Sequence, residues 1–208
     1  MLAFPTMEEE VKFLSANQNH VNNVLEETKG EFHTDGDSRP SWEDYFLRIA
    51  RDVATRSNCC RRKVGAVIVK DNHIIATGYN GTPAGTTNCF DGGCPRCSGN
   101  HKTGEKLDEC LCVHAEQNAI CQAAKYGNAI DGGHIYITCS PCLTCLKLII
   151  NAGINRVVFE EWNREFNEKE LNLIKEAGLV VVPPDKDGRL VSTRSLLNML
   201  HSGRRRPV

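Results

Sequence analysis

The sequence has no run of about 18 apolar residues, so no segment of it has the composition of a membrane-spanning helix. It also lacks a dominant charge sign. With 25 basic against 26 acidic residues and a pI near 6.6, there is no global field to gather a polyanion, which argues against nucleic acid and for a small-molecule partner. The N-terminus is not the basic, acid-poor stretch of a signal or transit peptide, since it carries Glu8, Glu9 and Glu10. A cytoplasmic, intracellular chain is expected, with the nucleus left open. What the sequence has in abundance is cysteine. Eleven of them, an odd count, include the pairs Cys94-x-x-Cys97 and Cys142-x-x-Cys145, a spacing that suits metal or redox chemistry better than loop-closing disulfides.

At 208 residues, 40% of them hydrophobic, the chain suits one domain with appendages. Residues 1–40 read as a polar extension. Val11, Leu14, Val21 and Leu25, with Gln18, lie on one stripe, which fits a short amphipathic helix as well as a loosely ordered tail. The main domain, 41–190, opens on a helix with Ser41 as N-cap and Trp42, Tyr45, Phe46, Ile49, Ala50 and Val53 at helical spacing. Val64–Val69 and Ile74–Thr77 form a hairpin through Lys70, Asp71 and Asn72. A loop rich in Gly, Cys and Pro then runs from Asn80 to Glu109, long enough to need a function or an anchor. Helices at 114–126, 142–152 and 168–177 alternate with strands at 135–138, 157–159 and 179–182. That alternation predicts an α/β fold with a largely parallel sheet entered through one antiparallel hairpin. Residues 191–208 add a C-terminal helix and the basic tail GRRRPV.

In DECLCVHAEQN, residues 108–118, Cys110, Cys112, His114 and Glu116 occupy every second position and would share one side of an extended segment. Further on, Pro141 suits a helix start and puts Cys142 and Cys145 one turn apart on one face. The helix N-terminus there favours thiolate over thiol. Two thiolates and the His114 imidazole would balance Zn²⁺ and leave its fourth tetrahedral position open. Glu116, two residues past His114, can stay off the metal and move protons between water and substrate. His114-Ala115-Glu116 followed by Pro141-Cys142-Leu143-Thr144-Cys145 has the H-x-E, P-C-x-x-C order of zinc-dependent nucleobase deaminases. A structural zinc knuckle or coincidentally buried cysteines are the plainer alternatives.

Through most of residues 41–182 the sequence resembles the deoxycytidylate (dCMP) deaminases, notably their phage and fungal branches. The segments that carry the likeness are SWEDYFLRIA, RSNC, VGAVIV, GYNGTPAG, CVHAEQNAI, SPCLTC and the AGI that follows. The resemblance implies a cytidine-deaminase-like, three-layer α/β/α fold with a five-stranded mixed sheet. It implies a catalytic zinc on His114, Cys142 and Cys145, with Glu116 as the proton shuttle in hydrolysis of dCMP to dUMP and ammonia, which supplies dUMP for thymidylate synthesis. It places substrate contacts at Asn80, Ala115 and, for the 5′-phosphate, Arg56. A regulatory nucleotide, dCTP or dTTP, is implied near Gly81 and Lys125, and a homo-oligomer, a hexamer, is the family's assembly. For Asn80, a turn residue is the plainer alternative; for Arg56 and Lys125, exposed helix-end and helix residues are. One departure stands out: Asn163, with Trp162 beside it, occupies the place of a family tyrosine near the substrate, and Glu160 and Glu161 would repel a nearby phosphate. The number of phosphates on the substrate is therefore open.

The same resemblance implies a second, structural zinc in the long loop, with Cys59, Cys89 and Cys112 at matching positions. Cys97 is the favoured fourth ligand, and Cys94 and Cys110 are its rivals. Reduced cysteines in a compact loop remain the plainer reading. Cys60, Cys121 and Cys139 are expected to be core or helix residues. DECLCVHAEQN would then divide: His114 and Glu116 join Cys142 and Cys145, while Cys112 turns back to the loop. Deamination of another cytosine nucleotide or nucleoside, or of a polynucleotide, competes with the dCMP reading, as does a non-catalytic zinc-binding member of the fold.

Overall fold

Strands buried on both faces read as unbroken apolar runs, because alternate side chains feed two separate cores. Val64–Val69 is such a run. In the computed structural model, which describes residues 39–184 apart from 103, 104, 107 and 108, it becomes an inner strand of a five-stranded sheet, paired on both edges. Strands β1 (Gly65–Lys70), β2 (His73–Tyr79), β3 (His134–Ile137), β4 (Arg156–Phe159) and β5 (Val180–Val182) lie in the order β2-β1-β3-β4-β5. The pairings of β1 with β2 and β3 are antiparallel; β3, β4 and β5 run parallel. The sheet is therefore mixed, and it is five-stranded as expected. The stripe at Val11–Leu25 and the helix at 191–201 lie outside the described residues.

One set of alternate side chains, Val67, Val69, Tyr136, Val158 and Val182, packs on Phe46, Leu47 and Ala50 of helix α1 (Trp42–Ala54). The other set includes Ala66, Ile68, Ile135, Ile137, Val157, Phe159 and Val181. It packs on the helices that follow the long loop: α3 (Ala115–Tyr126), α4 (Leu143–Asn151) and α5 (Glu168–Glu176). This gives three layers, α/β/α. Trp42 and Tyr45, on the expected apolar stripe of α1, stay 54% and 42% exposed. They lie along the helix edge, stacked or edge-on against the buried Phe46 ring.

The hairpin turn is tighter than the sequence suggests. Asp71 and Asn72 form it alone, both with positive φ, 51° and 59°, as a two-residue turn matched to strand twist requires. β2 runs on past Thr77, because Gly78 and Tyr79 still pair with Ala66 and Gly65. Both glycines serve close approach. A Cβ on Gly65 would lie 2.0 Å from the Ala50 carbonyl oxygen, and one on Gly78 2.2 Å from that of Ala115. Gly78 thus lets α3 press its first turn onto the sheet. The long loop holds a 3₁₀ turn (Cys89–Asp91) and a one-turn helix α2 (Pro95–Ser98), both too short to leave a periodic signal.

Candidate metal and catalytic site

The site forms where two helices begin. Val113 makes an antiparallel bridge with Gly81, N–H to carbonyl at 2.8 and 3.1 Å, which delivers the chain to His114, the N-cap of α3. The His114 N–H donates to Gln117 Oε1 at 2.9 Å, and its carbonyl accepts from the Asn118 N–H at 3.0 Å. Cys142 is the N-cap of α4 in the same way, its carbonyl accepting from the Leu146 N–H at 2.9 Å. Its extended φ/ψ puts it just outside the helix, with Cys145 one turn further in. The segment before it is held firmly. The Ser140 N–H donates to the Glu161 carbonyl at 2.8 Å, and the Ser140 hydroxyl bonds Asn163 Oδ1. Arg164 donates to the Pro141 carbonyl at 3.0 Å and grips Glu170 with two bonds of 2.5 and 2.7 Å.

His114 Nδ1 lies 3.5 Å from Cys142 Sγ and 3.3 Å from Cys145 Sγ. Zn–N near 2.0–2.1 Å and Zn–S near 2.3 Å set the N···S edge of a tetrahedral site at about 3.6 Å, so this donor set fits zinc. Cys145 is fully buried, while His114 and Cys142 are half-buried, which leaves one side of the cluster accessible. A hydrogen bond from Cys145, and after it the His114 imidazole, hold the Cys142 thiol down to about 4 against the opposing effect of burial. The same thiol–thiolate hydrogen bond pushes Cys145 up, with burial adding to it. The bond to Cys142 likewise raises His114. Glu116 is only 4% exposed, and burial raises its carboxyl above the usual range, opposed in part by His114. A buried carboxyl held above the usual range by burial, beside a metal-competent cluster, is suited to carrying a proton in both directions.

The other expected residues are placed as follows. Ala115 is fully buried in the first turn of α3, against Gly78. Asn80 is 8% exposed and acts as a staple: Oδ1 accepts from the Val64 N–H and the Ser57 hydroxyl, both at 2.8 Å, and Nδ2 donates to the Arg62 carbonyl at 2.8 Å. That leaves a single Nδ2 hydrogen for any ligand. At Gly81 a Cβ would meet the Asn58 amide, Oδ1 at 2.5 Å, so a larger residue there would displace that side chain. Arg56 is exposed in the turn after α1. Lys125 is exposed near the C-terminus of α3, its Nζ 5.8 Å from the Tyr126 ring centroid and about 16 Å along the helix from His114 at 1.5 Å per residue.

The long loop gathers the remaining thiols. Cys59, Cys89, Cys97 and Cys112, all buried, bring their sulfurs within 4.8 Å of one another, and so do Cys94, Cys97, Cys110 and Cys112. Cys97 is the cysteine that groups with Cys59, Cys89 and Cys112; Cys94 and Cys110, the expected rivals, group with Cys97 and Cys112 and not with Cys59 and Cys89. Cys121 is an exposed residue of α3 and Cys139 is buried. Cys60 differs from expectation: it is an exposed loop residue, 3.7 Å from Cys89 sulfur to sulfur.

The region after β4 also corrects an expectation. Trp162 packs edge-on against Phe159 and Phe166, at 4.8 and 5.5 Å between centroids, and donates its indole N–H to the Pro184 carbonyl at 3.1 Å. Asn163 is spent on Ser140. Glu160 and Glu161 are not bare carboxylates, since Arg51 and Arg62 pair with them. These four, with Ala54, Lys63 and Thr138, line a cavity of about 250 Å³ that includes none of the His–Cys–Cys donors. No spacing or motif in the sequence marks the joint role of Ser140, Arg164 and Glu170, although Asn167 three residues before Glu170 is a capping-box signal.

An α/β/α sheet with one imidazole and two thiols at the mouths of two helices, and a buried carboxyl beside them, defines a protein built around a three-donor metal site. Comparison with known proteins narrows the class. The family model described as the cytidine and deoxycytidylate deaminase zinc-binding region matches residues 40–161, more than half of the chain. The chain is 44% identical over 153 residues to the deoxycytidylate deaminase of Schizosaccharomyces pombe (71% of this chain, 46% of that protein). It is 46% identical over 143 residues to that of Saccharomyces cerevisiae (69% of this chain, 45% of that protein). The solved dCMP deaminase of the cyanophage S-TIM5, in complex with dCMP and dUMP, superposes with a TM-score of 0.56 at 33% identity, over 71% of this chain and 99% of that one. The chain belongs to the cytidine and deoxycytidylate deaminase family. It spans about half the length of the two yeast relatives.

Proposed function

We propose that this protein hydrolyses dCMP to dUMP and ammonia, using one zinc held by His114, Cys142 and Cys145, and so supplies dUMP for thymidylate synthesis. The observation that carries the reading is the buried Glu116 beside the three-donor cluster. Its support is the naming of both yeast relatives as deoxycytidylate deaminases and the binding of dCMP and dUMP by the cyanophage protein. Zinc, when bound, supplies a water acidified to near neutrality. Glu116 would move a proton from the attacking water to N3 of the cytosine ring. Once C4 carries the new hydroxyl, Glu116 would take the hydroxyl proton and pass it to the leaving amine, which departs as ammonia and leaves a C4 carbonyl, so one water is consumed per base. The carboxyl can do both because burial has brought its charged and neutral forms closer in free energy.

Around this centre Asn80 offers its remaining Nδ2 hydrogen to the deoxyribose, Ala115 lines the floor beside it, and Arg56 meets the 5′-phosphate. A second, structural zinc sits on Cys59, Cys89, Cys97 and Cys112 and anchors the loop. Eleven free cysteines suit a reducing, cytoplasmic setting, and among the described residues no helix is long and apolar enough to cross a membrane. Regulation by dCTP and dTTP would use Gly81 and the exposed Lys125, in a homo-oligomer, a hexamer on the family's pattern. The test is a screen of dCMP, dCTP and deoxycytidine with zinc-loaded protein, with and without added dCTP and dTTP. Preference for dCMP supports the reading, and inertness to all three defeats it. Loss of the effector response in Lys125→Ala, with basal activity kept, assigns the regulatory site.

A further inference from the structure

The two thiol quartets of the loop overlap. Cys59 and Cys89 belong to one, Cys94 and Cys110 to the other, and Cys97 and Cys112 to both. We infer that these six cysteines form one binuclear zinc–thiolate cluster, in which Cys97 and Cys112 bridge two zinc ions and each ion has two further thiolates of its own. The inference enlarges the structural site of the proposed function and uses none of the donors at His114, Cys142 and Cys145.

Three observations carry it. First, the sulfur spacing is that of metal tetrahedra. Zn–S bonds of about 2.3 Å set an S···S edge of about 3.8 Å. Cys59–Cys97, Cys97–Cys112 and Cys94–Cys110 each lie at 3.9 Å, and Cys97–Cys110 at 3.7 Å. These contacts form a connected network through Cys97, and four independent ligands for one ion would leave Cys94 and Cys110 in it without a purpose. Second, a backbone donor points at a sulfur, as a thiolate requires: Cys94 Sγ receives the Leu111 N–H at 3.4 Å. Third, a buried cation lies in the same short segment. Six thiolates and two Zn²⁺ carry a net charge of about −2. Arg96, between Cys94 and Cys97, is 8% exposed and spends its hydrogen bonds on the Glu105 carbonyl; among the described residues no carboxylate reaches it. A buried cation without a carboxylate is stabilised by such a cluster. Cys60, exposed and close only to Cys89, belongs to neither quartet.

Binding replaces six thiol protons by two Zn²⁺, with no change of oxidation state. The test is zinc content per full-length chain after exhaustive dialysis, joined to ¹¹³Cd NMR of the cadmium-substituted protein. The expected result is three zinc ions, with two thiolate-bound cadmium signals split by coupling through shared sulfur. Cys94→Ser with Cys110→Ser should lower the count to two and abolish the splitting; should that variant fail to fold, the wild-type count and splitting decide. Two zinc ions in the wild type, or unsplit cadmium signals, would overturn the binuclear cluster and leave the deaminase reading standing. Conversely, three zinc ions in a chain inert to dCMP would sink the deaminase reading and keep the cluster. His114→Ala should remove one ion and leave the splitting intact.

Discussion

His114 Nδ1 and Cys145 Sγ stand 3.3 Å apart although 31 residues separate them, because α3 and α4 begin at the same place beside the sheet. Each donor sits in or just before the first turn of its own helix. The cluster is therefore only as rigid as the two segments that lead into those turns.

Separating metal from proton transfer is the first prediction. Cys145→Ser should lose the zinc of this site together with activity. Glu116→Gln should keep the zinc and lose a factor on the order of 10²–10⁴ in rate, the range for a positioned general acid–base group. Metal content and turnover of the two variants, measured side by side, check it.

Glu170 gives a pH signature. Burial alone would raise its carboxyl, but the two bonds from Arg164, together with N–H donors, outweigh burial and hold it below the usual carboxylate range. A depressed folded-state value means stability that is full above the unfolded value of about 4.3 and is lost as pH falls through the folded one. Glu170→Gln should cost about 2 kcal/mol at pH 7, less than the roughly 3–5 kcal/mol of a fully buried pair because Arg164 is partly exposed. Denaturant titrations should show the gap between wild type and variant closing below about pH 4. At neutral pH the variant should also hold zinc more weakly, since Arg164 ties Pro141 next to Cys142.

At Gly78 an added methyl would lie 2.2 and 2.3 Å from backbone atoms of Ala115 and Ala119, so α3 must move away. Gly78→Ala should lower stability by about 2–3 kcal/mol, the upper range for overpacking. Zinc retention at His114 should fall with it, which denaturant midpoints and metal analysis would show together.

Asn80→Ala distinguishes a staple from a sugar contact. Removing its amide strips the Val64 N–H and the Arg62 carbonyl of their partner. The loss should be about 1–3 kcal/mol of stability. A variant that kept full stability and changed only KM for dCMP would assign Asn80 to the substrate alone.

Much of this architecture is legible in the sequence where periodicity is strong. The strands show as short apolar runs, and the helices carrying His114 and Cys142 leave 3.6-residue patterns. The alternation of Cys110, Cys112, His114 and Glu116 is visible too, but not its division, which depends on the bridge of Val113 to Gly81 and the turn into α3 at His114. Spacing alone does not choose among Cys94, Cys97 and Cys110, because their convergence is set by the one-turn helix α2 and by chain reversals with no periodic signal. The grip of Arg164 on Glu170 and Pro141 is invisible for a similar reason: ordinary surface-type residues become structural only when β4 and α5 bring them beside the turn before Cys142.

The most direct test of the account is the reaction itself. Zinc-loaded protein incubated with dCMP should release ammonia and dUMP in equal amounts, and the Glu116→Gln protein, with its zinc content unchanged, should release neither at a comparable rate. A wild-type protein that holds its zinc and leaves dCMP intact would contradict the account.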